Sequence, residues 1–199
     1  MFIAIEGCFG VGKTTVANGL ALHRNSKPLL ENFEGNPFLR AFYENPSDNA
    51  LETEFSFLLL HFHQLKSHAY TAAESEVISD FHLAKDLLYA DLNLSDARVK
   101  GLFTDLYQLC LEKTLNPDVL VYLSAPTELL VERIRSRNRD FESPIDFAYC
   151  ATVNGAYEEF FRRHTGKKLC VDMEEWDFLK DATLYQRLSG LIDGLLEKK

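Results

Sequence analysis

Phe2-Ile3-Ala4-Ile5-Glu6 runs without a break into Gly7-Cys8-Phe9-Gly10-Val11-Gly12-Lys13-Thr14-Thr15. The first half is a short apolar run with the composition of a strand, and the second matches the full spacing G-x-x-x-x-G-K-[ST]. Glycines at 7, 10 and 12 let the backbone wrap closely enough for successive N–H groups, that of Val11 among them, to converge on one anion. A helix beginning near Gly12 adds the positive end of its dipole. Lys13 brings a mobile charge toward the terminal phosphates of a nucleotide, and the hydroxyl of Thr14, with Thr15 beside it, suits the magnesium that accompanies a triphosphate. Val16, Leu20 and Ala21 give the next segment an apolar face, so the loop stands in the strand-loop-helix setting that the motif requires.

The rest of the chain must supply a sheet for that strand. With 199 residues, 46% of them hydrophobic, and no break in composition, residues 1–199 read as one domain. A net charge of −9 argues against a nucleic-acid duplex or an anionic membrane as partner, since either needs a broad basic surface. A small anionic ligand held by a few arginines remains compatible. Cys8, Cys110, Cys150 and Cys170 form no C-x-x-C pair and read as free thiols. The chain starts directly in a core strand, with no leader-like region and no apolar run long enough for a bilayer, so a cytoplasmic protein is expected.

Lys27-Pro28 breaks the first helical pattern, and Leu29-Leu30-Glu31 reads as a second strand. Ligands of open parallel sheets bind at the carboxyl ends of strands, so Glu31 should face the cavity of the phosphate loop as a candidate base. A long helix spans about 50–68 with Leu51, Phe55, Leu58, Phe62 and Leu65 as its apolar stripe. Glu54 and His61, seven residues apart, fall on a different line that faces either a pocket or solvent. Residues 76–80 read as the third strand, ending in Asp80, the expected partner of Thr14 at magnesium. Asp86 follows, then a polar loop around Asn93 and Ser95, then a helix over about 96–114 marked by Leu102, Leu106, Leu109 and Lys113.

Val119-Leu120-Val121-Tyr122-Leu123 has the continuous apolar character of a strand buried on both faces. The helix opened by Pro126 and Thr127 ends in Arg133-Ile134-Arg135-Ser136-Arg137-Asn138-Arg139, either a basic face paired with Glu128, Glu132 and Asp140 or a charge clamp over phosphates; the phosphate loop favours the clamp. A helix over 147–164, a fifth strand over 168–172 and an amphipathic helix over 183–198 complete the chain. Strands alternate with helices throughout, which predicts an α/β fold, a five-stranded parallel sheet flanked by helices.

In this ordered set of motifs the chain resembles the deoxynucleoside kinase family, over nearly its whole length. The resemblance rests on I-E-G-x-x-G-x-G-K-T-T at 5–15, Glu31, N-P-F-L from Asn36, F-Y-E-x-P from Phe42, Asp80, Y-L at Tyr122, E-R-I-R-x-R-x-R at 132–139 and V-D-x-x-x-x-D-F at 171–178. It implies a P-loop kinase with an arginine-rich lid that transfers phosphate from ATP, with magnesium, to a small-molecule deoxynucleoside. Glu31 would take the proton of the 5′-hydroxyl, Lys13, Arg137 and Arg139 would stabilise the transferring phosphate, and Arg133 would lie near the donor base. Tyr43 and Glu142 would hold the sugar 3′-hydroxyl, and Glu54, His61 and Asp86 would face the base, a purine rather than thymine. The resemblance also implies a homodimer formed through helices.

Two departures bear on this. Asp80-Phe81-His82 lacks an arginine expected near the reacting hydroxyl, leaving Arg135 or His82 to compensate or activity to be reduced. Glu54, taken as ionised, accepts hydrogen bonds and cannot donate them, which points to guanine before adenine. Competing readings are a nucleoside monophosphate kinase of the thymidylate kinase type and a nucleotide-binding regulatory subunit with weak catalysis, the latter because of Phe81.

Overall fold

Strand β1 (Phe2–Glu6) is buried along its whole length and lies third in a sheet ordered β2-β3-β1-β4-β5. The structure, a computed structural model, describes residues 1–74, 76–137, 139, 142 and 144–197, with the side chains of 68–74 left aside. Beside β1 lie β3 (Val77–Ser79) and β4 (Val119–Ser124); β2 (Lys27–Leu29) and β5 (Lys168–Asp172) form the edges. Every pair runs parallel, with Ile3 opposite Ile78 and Val119, and Tyr122 opposite Cys170. The inner strands are apolar on both sides because helices cover both faces. Pro28 is accommodated at an edge, where a missing N–H breaks no inner ladder.

Alternate residues of β1 feed two cores. Ile3 and Ile5 join Ala17 and Leu20 of α1 (Lys13–His23) and Leu188 and Ile192 of α8 (Thr183–Glu197). Phe2 and Ala4 join Leu58 and Leu65 of α3 (Pro46–Glu74), Ala90 of α4 (Ala84–Asn93) and Phe103 and Tyr107 of α5 (Ala97–Leu111). Helix α2 (Leu39–Glu44) leads into α3, α6 (Thr127–Ser136) follows β4, and α7 (Phe147–Arg163) precedes β5.

Several elements differ from the sequence reading. Strands β2 and β3 end at Leu29 and Ser79, so Glu31 and Asp80 stand in loops just beyond strand ends. The long helix begins at Pro46, a residue suited to a first turn, and reaches Glu74. Its buried line is Ala50, Glu54, Leu58, His61 and Leu65, whereas Leu51 is exposed. Glu54 and His61 therefore share the inward face with the leucines, because the space under this part of the helix is a polar cleft. Helix α5 buries Phe103, Tyr107 and Cys110 and turns Leu102 and Leu109 outward, the reverse of the expected stripe. The stretch from Ala84 to Asn93, to which that reading assigns no element, is helix α4, and the expected loop around Asn93 and Ser95 follows at its end. Asn138, Asp140 and Lys198 lie outside the described residues.

Candidate active site

The phosphate loop needs its glycines for two separate reasons. Gly12, the residue before α1, has φ +109°, a left-handed conformation that opens the helix N-terminus toward the cleft. Gly10, at φ +85°, has no room for a side chain: a Cβ would stand 2.9 Å from Ile134 Cγ1 and 3.1 Å from the Leu130 carbonyl, both on α6. Lys13 donates from Nζ to the carbonyls of Gly7 at 2.7 Å and Cys8 at 3.3 Å, curling back along the loop. Burial lowers its pKa, as does the charge of Lys85, against the pull of Glu6 and Glu31.

Thr14, Asp80 and Glu31 meet at the strand ends. Thr14 Oγ1 donates to Asp80 Oδ2 at 2.5 Å, and the Glu31 amide donates to Asp80 Oδ1 at 2.7 Å. A hydroxyl and a carboxylate so placed fit magnesium, a hard cation that takes one or two protein oxygens and completes its shell with phosphates and water.

Glu31 is the meeting point of two cations. Its Oε1 stands 3.1 Å from His61 Nε2 and its Oε2 2.7 Å from Lys85 Nζ. The other nitrogen of His61 lies 2.7 Å from Asp86 Oδ1. With a carboxylate at each nitrogen, the imidazole satisfies both only as a doubly protonated cation. Burial opposes that charge, but Asp86 and Glu31 outweigh it and raise the pKa to about 9. Burial likewise opposes ionisation of Glu31, and Lys85 and His61 outweigh it, holding the carboxyl well below the usual carboxylate range. Glu31 is thus ionised at neutral pH.

Glu54 behaves differently. It is 3% exposed, and its Oε1 accepts from Asn93 Nδ2 at 2.7 Å. Burial raises its pKa to about 8, the Asn93 bond and the cations Lys85 and His61 only partly opposing this. The ionised Glu54 assumed from sequence is therefore corrected: near neutrality it is mostly a carboxylic acid, able to donate as well as accept, and the argument for guanine over adenine loses its basis.

These groups line one cleft of about 680 Å³ that also takes in the loop, Tyr43, Asp86 and the arginine segment. Arg133 donates to the Val11 carbonyl at 2.9 Å and the Met173 carbonyl at 3.4 Å, beside Trp176 and Phe178. Arg137 grips Glu142 through Nε at 2.6 Å and Nη2 at 2.5 Å, a bidentate pair, and Arg139 Nη1 lies 3.5 Å from the same carboxylate. Tyr43 borders this pair closely enough that Glu142, after burial and Tyr149, raises its pKa. Among the described residues Glu142, rather than Glu128 or Glu132, is the acid these two arginines engage.

Neither substitute expected for the missing arginine reaches the cleft. Arg135 is exposed, beside Glu128, Glu132 and Phe147. His82 packs by Phe2 with its ring centroid 6.1 Å away, accepts from the Ala84 amide, and is pushed by burial down to about 4, so it is neutral. Beside His61, the second cation at Glu31 is Lys85, which sequence reasoning missed, although its place four residues after Phe81 was a usable signal. Thr53 and Asn93, both in the cleft wall, were missed as well. So was Glu6, which accepts from the His82 amide at 2.6 Å and the Tyr157 hydroxyl at 3.3 Å and is raised by burial to about 7.

Comparison with known proteins agrees with this geometry. The family model described as deoxynucleoside kinase matches residues 3–197. The deoxyguanosine kinase of Bacillus subtilis (strain 168) is 29% identical over 202 residues, covering 98% of this chain and 97% of that protein. The deoxyadenosine kinase of Dictyostelium discoideum is 29% identical over 164 residues, 80% of this chain and 66% of that one. Among solved structures, the deoxyadenosine kinase of M. mycoides with bound dATP superposes with a TM-score of 0.83 at 27% identity, covering 96% of this chain and 100% of the other. The same enzyme with bound dCTP gives 0.82 at 27% identity, covering 96% and 99%. A glycine loop at the end of β1, an ionised carboxylate across the cleft from it, and a match that runs from Ile3 to Glu197 all lead to one assignment: the chain belongs to the deoxynucleoside kinase family and is a phosphotransferase.

Proposed function

We propose that this deoxynucleoside kinase transfers the γ-phosphoryl group of ATP to the 5′-hydroxyl of a purine deoxynucleoside. The observation that carries the proposal is Glu31, a carboxylate kept ionised between Lys85 and His61 in the cleft that also holds Lys13, Thr14 and Asp80.

On this reading the amides of the loop from Gly7 to Thr15, with the α1 N-terminus, bind the donor phosphates. Arg133 lies beside the donor base, between the loop and Trp176. Thr14 and Asp80 hold magnesium, which would neutralise charge on the phosphates when bound. Glu31 accepts the proton of the attacking hydroxyl, while Lys13, Arg137 and Arg139 neutralise the phosphoryl group in transit, since transfer of this kind depends on positioning and electrostatics. Tyr43 and Glu142 hold the sugar 3′-hydroxyl. Glu54, His61, Asp86 and Asn93 face the base; Asp86 Oδ2 and Thr53 Oγ1 are buried oxygens without a hydrogen-bond partner among the described residues, and both line the cleft. The names of the bacterial and Dictyostelium relatives, deoxyguanosine and deoxyadenosine kinases, support a purine acceptor.

Exposed leucines 51 and 59 on α3 and 102 and 109 on α5 support pairing with a second copy through these helices. Among the described residues no helix is long and apolar enough to cross a membrane, which is compatible with a cytoplasmic location.

The test is phosphate transfer from labelled ATP and magnesium to each of the four deoxynucleosides and to their monophosphates. A purine deoxynucleoside should be the best acceptor, and Glu31→Gln should lower kcat by about 100-fold or more with little change in nucleoside affinity. Transfer to monophosphates alone, or best transfer to thymidine, would overturn the reading.

A further inference from the structure

Lys85 is the second residue of α4, and two features of its position work against a positive charge. It is 8% exposed, where an ammonium loses most of its hydration, and it sits in a helix first turn, where the dipole disfavours cations. Its charge persists nonetheless: burial pulls its pKa down, but Glu31 and Glu6 outweigh this and raise it. Glu31 is its one partner at ion-pair distance among the described residues, at 2.7 Å. Glu31 has a second cation in His61, so neutralising this carboxylate does not by itself require a lysine. Its Nζ also stands 5.9 Å from the centroid of the Tyr89 ring. One of the three ammonium donors thus points at the carboxylate facing the acceptor hydroxyl, and the remaining donors are within the reach of a four-carbon stem of whatever oxygen binds beside that carboxylate.

Position 81, four residues earlier, holds no charge. Phe81 is fully buried, packed among Leu58, Leu83 and Phe103, with its ring 4.9 Å from that of His61. With no charge at position 81, the cations beside Glu31 are His61 of α3, whose two ring nitrogens face Asp86 and Glu31, and Lys85 of α4, which has ammonium donors to spare.

We infer that Lys85 is a catalytic residue of the transfer step, binding the nucleoside 5′-oxygen and the phosphoryl oxygens next to it as the new bond forms. The inference rests on the kinase reading above. In that step the 5′-O–H proton passes to Glu31, the freed oxygen pair forms the bond to the γ-phosphorus, and the bond from that phosphorus to the β-phosphate oxygen breaks, its pair leaving on ADP. Lys85 keeps its protons throughout and contributes charge and hydrogen bonds, the kind of group whose loss costs about 100-fold to 1000-fold in kcat.

A purely structural lysine, one that only holds Glu31 in place, predicts something different, and a double-mutant cycle separates the two. The variants are Lys85→Met, Lys85→Arg, Glu31→Gln and the double variant Glu31→Gln with Lys85→Met. Each is assayed with the best deoxynucleoside for kcat and KM, with nucleoside affinity measured by calorimetry as the check on folding. Lys85→Met should lose about 100-fold in kcat with nucleoside affinity changed by no more than about threefold. Lys85→Arg should recover most of that loss. The double variant should be at least about tenfold slower than Glu31→Gln alone, because Lys85 still acts when the base is gone. A Lys85→Met enzyme with nearly full kcat, or a double variant no slower than Glu31→Gln, would overturn the inference. Absence of transfer by the unmodified enzyme would instead remove the kinase reading, so the two failures are told apart by the first assay.

Discussion

Glu54 sits on the face of α3 that also buries Leu58 and Leu65, and accepts a hydrogen bond from Asn93 that partly offsets its desolvation. Its pKa of about 8 in the fold, against an ordinary 4.5, means that the folded protein binds more protons than the unfolded chain between those values. Stability from this group is therefore greatest below about pH 4.5 and is lost as pH rises toward 8. Across two pH units inside that window the loss is about 2.7 kcal/mol. Glu54→Gln removes it, so urea unfolding at about pH 5.5 and about pH 7.5 should show a gap between the two pH values smaller by roughly 2 kcal/mol in the variant than in the unmodified protein. Equal gaps would mean that Glu54 is ionised in the fold. His61 titrates from the other side: its pKa is raised from 6.5 to about 9, so its contribution is full below 6.5 and lost as pH rises through 9. That term is present in both proteins and cancels in the comparison. A neutral Glu54 next to Asp86 and a charged His61 gives the cleft a donor, an acceptor and a cation from one helix pair, which neither sequence spacing nor the ordinary pKa of glutamate reveals.

Between elements, the contact that matters most for the loop is the one with α6. Gly10 lies against Ile134 and the Leu130 carbonyl, so the helix that ends in the arginine segment also fixes the shape of the loop. Gly10→Ala adds a left-handed alanine and pushes a methyl into that helix; it should weaken binding of an ATP analogue by tenfold or more and lower unfolding stability by about 1–3 kcal/mol, read by calorimetry and urea titration. Unchanged nucleotide affinity would separate the loop from α6. Elements whose residues answer to a single demand were legible from sequence. Strand β1, the loop, β4 and β5 follow from local composition, and the carboxylates Glu31 and Asp80 follow from where parallel strands end. Helices answering to two demands were not. In α4, Lys85, Asp86, Tyr89 and Asn93 line the cleft and break the apolar period that marks a helix, so no helix was read there. In α3 the same cleft draws Glu54 and His61 onto the buried line and leaves Leu51 outside. In α5 two faces are apolar, Phe103–Tyr107–Cys110 inward and Leu102–Leu109 outward, and periodicity alone cannot say which one meets the sheet.

At the scale of the molecule those outward leucines and the cleft share a helix. Leu51 and Leu59 are 47% and 51% exposed on α3, which carries Glu54 and His61 inside, and α5 beside it presents Leu102 and Leu109 at 59% and 56%. Covering a leucine side chain contributes about 1.5–3 kcal/mol, so a second copy seated on this face would stabilise the pair and brace the helix that lines the cleft. A net charge of −9 keeps separate molecules apart in solution, so pairing would have to draw on this apolar face rather than on general attraction. Leu102→Glu with Leu109→Glu places like charges on both copies of the face. Sedimentation equilibrium should find two chains per particle for the unmodified protein and one for the variant. Because the cleft is built from residues of a single chain, the separated variant should keep its kcat, while its nucleoside KM rises severalfold as α3 loses its brace. A variant that stays paired would move the interface elsewhere, and a monomer with unchanged KM would show that α3 is held by its own chain alone.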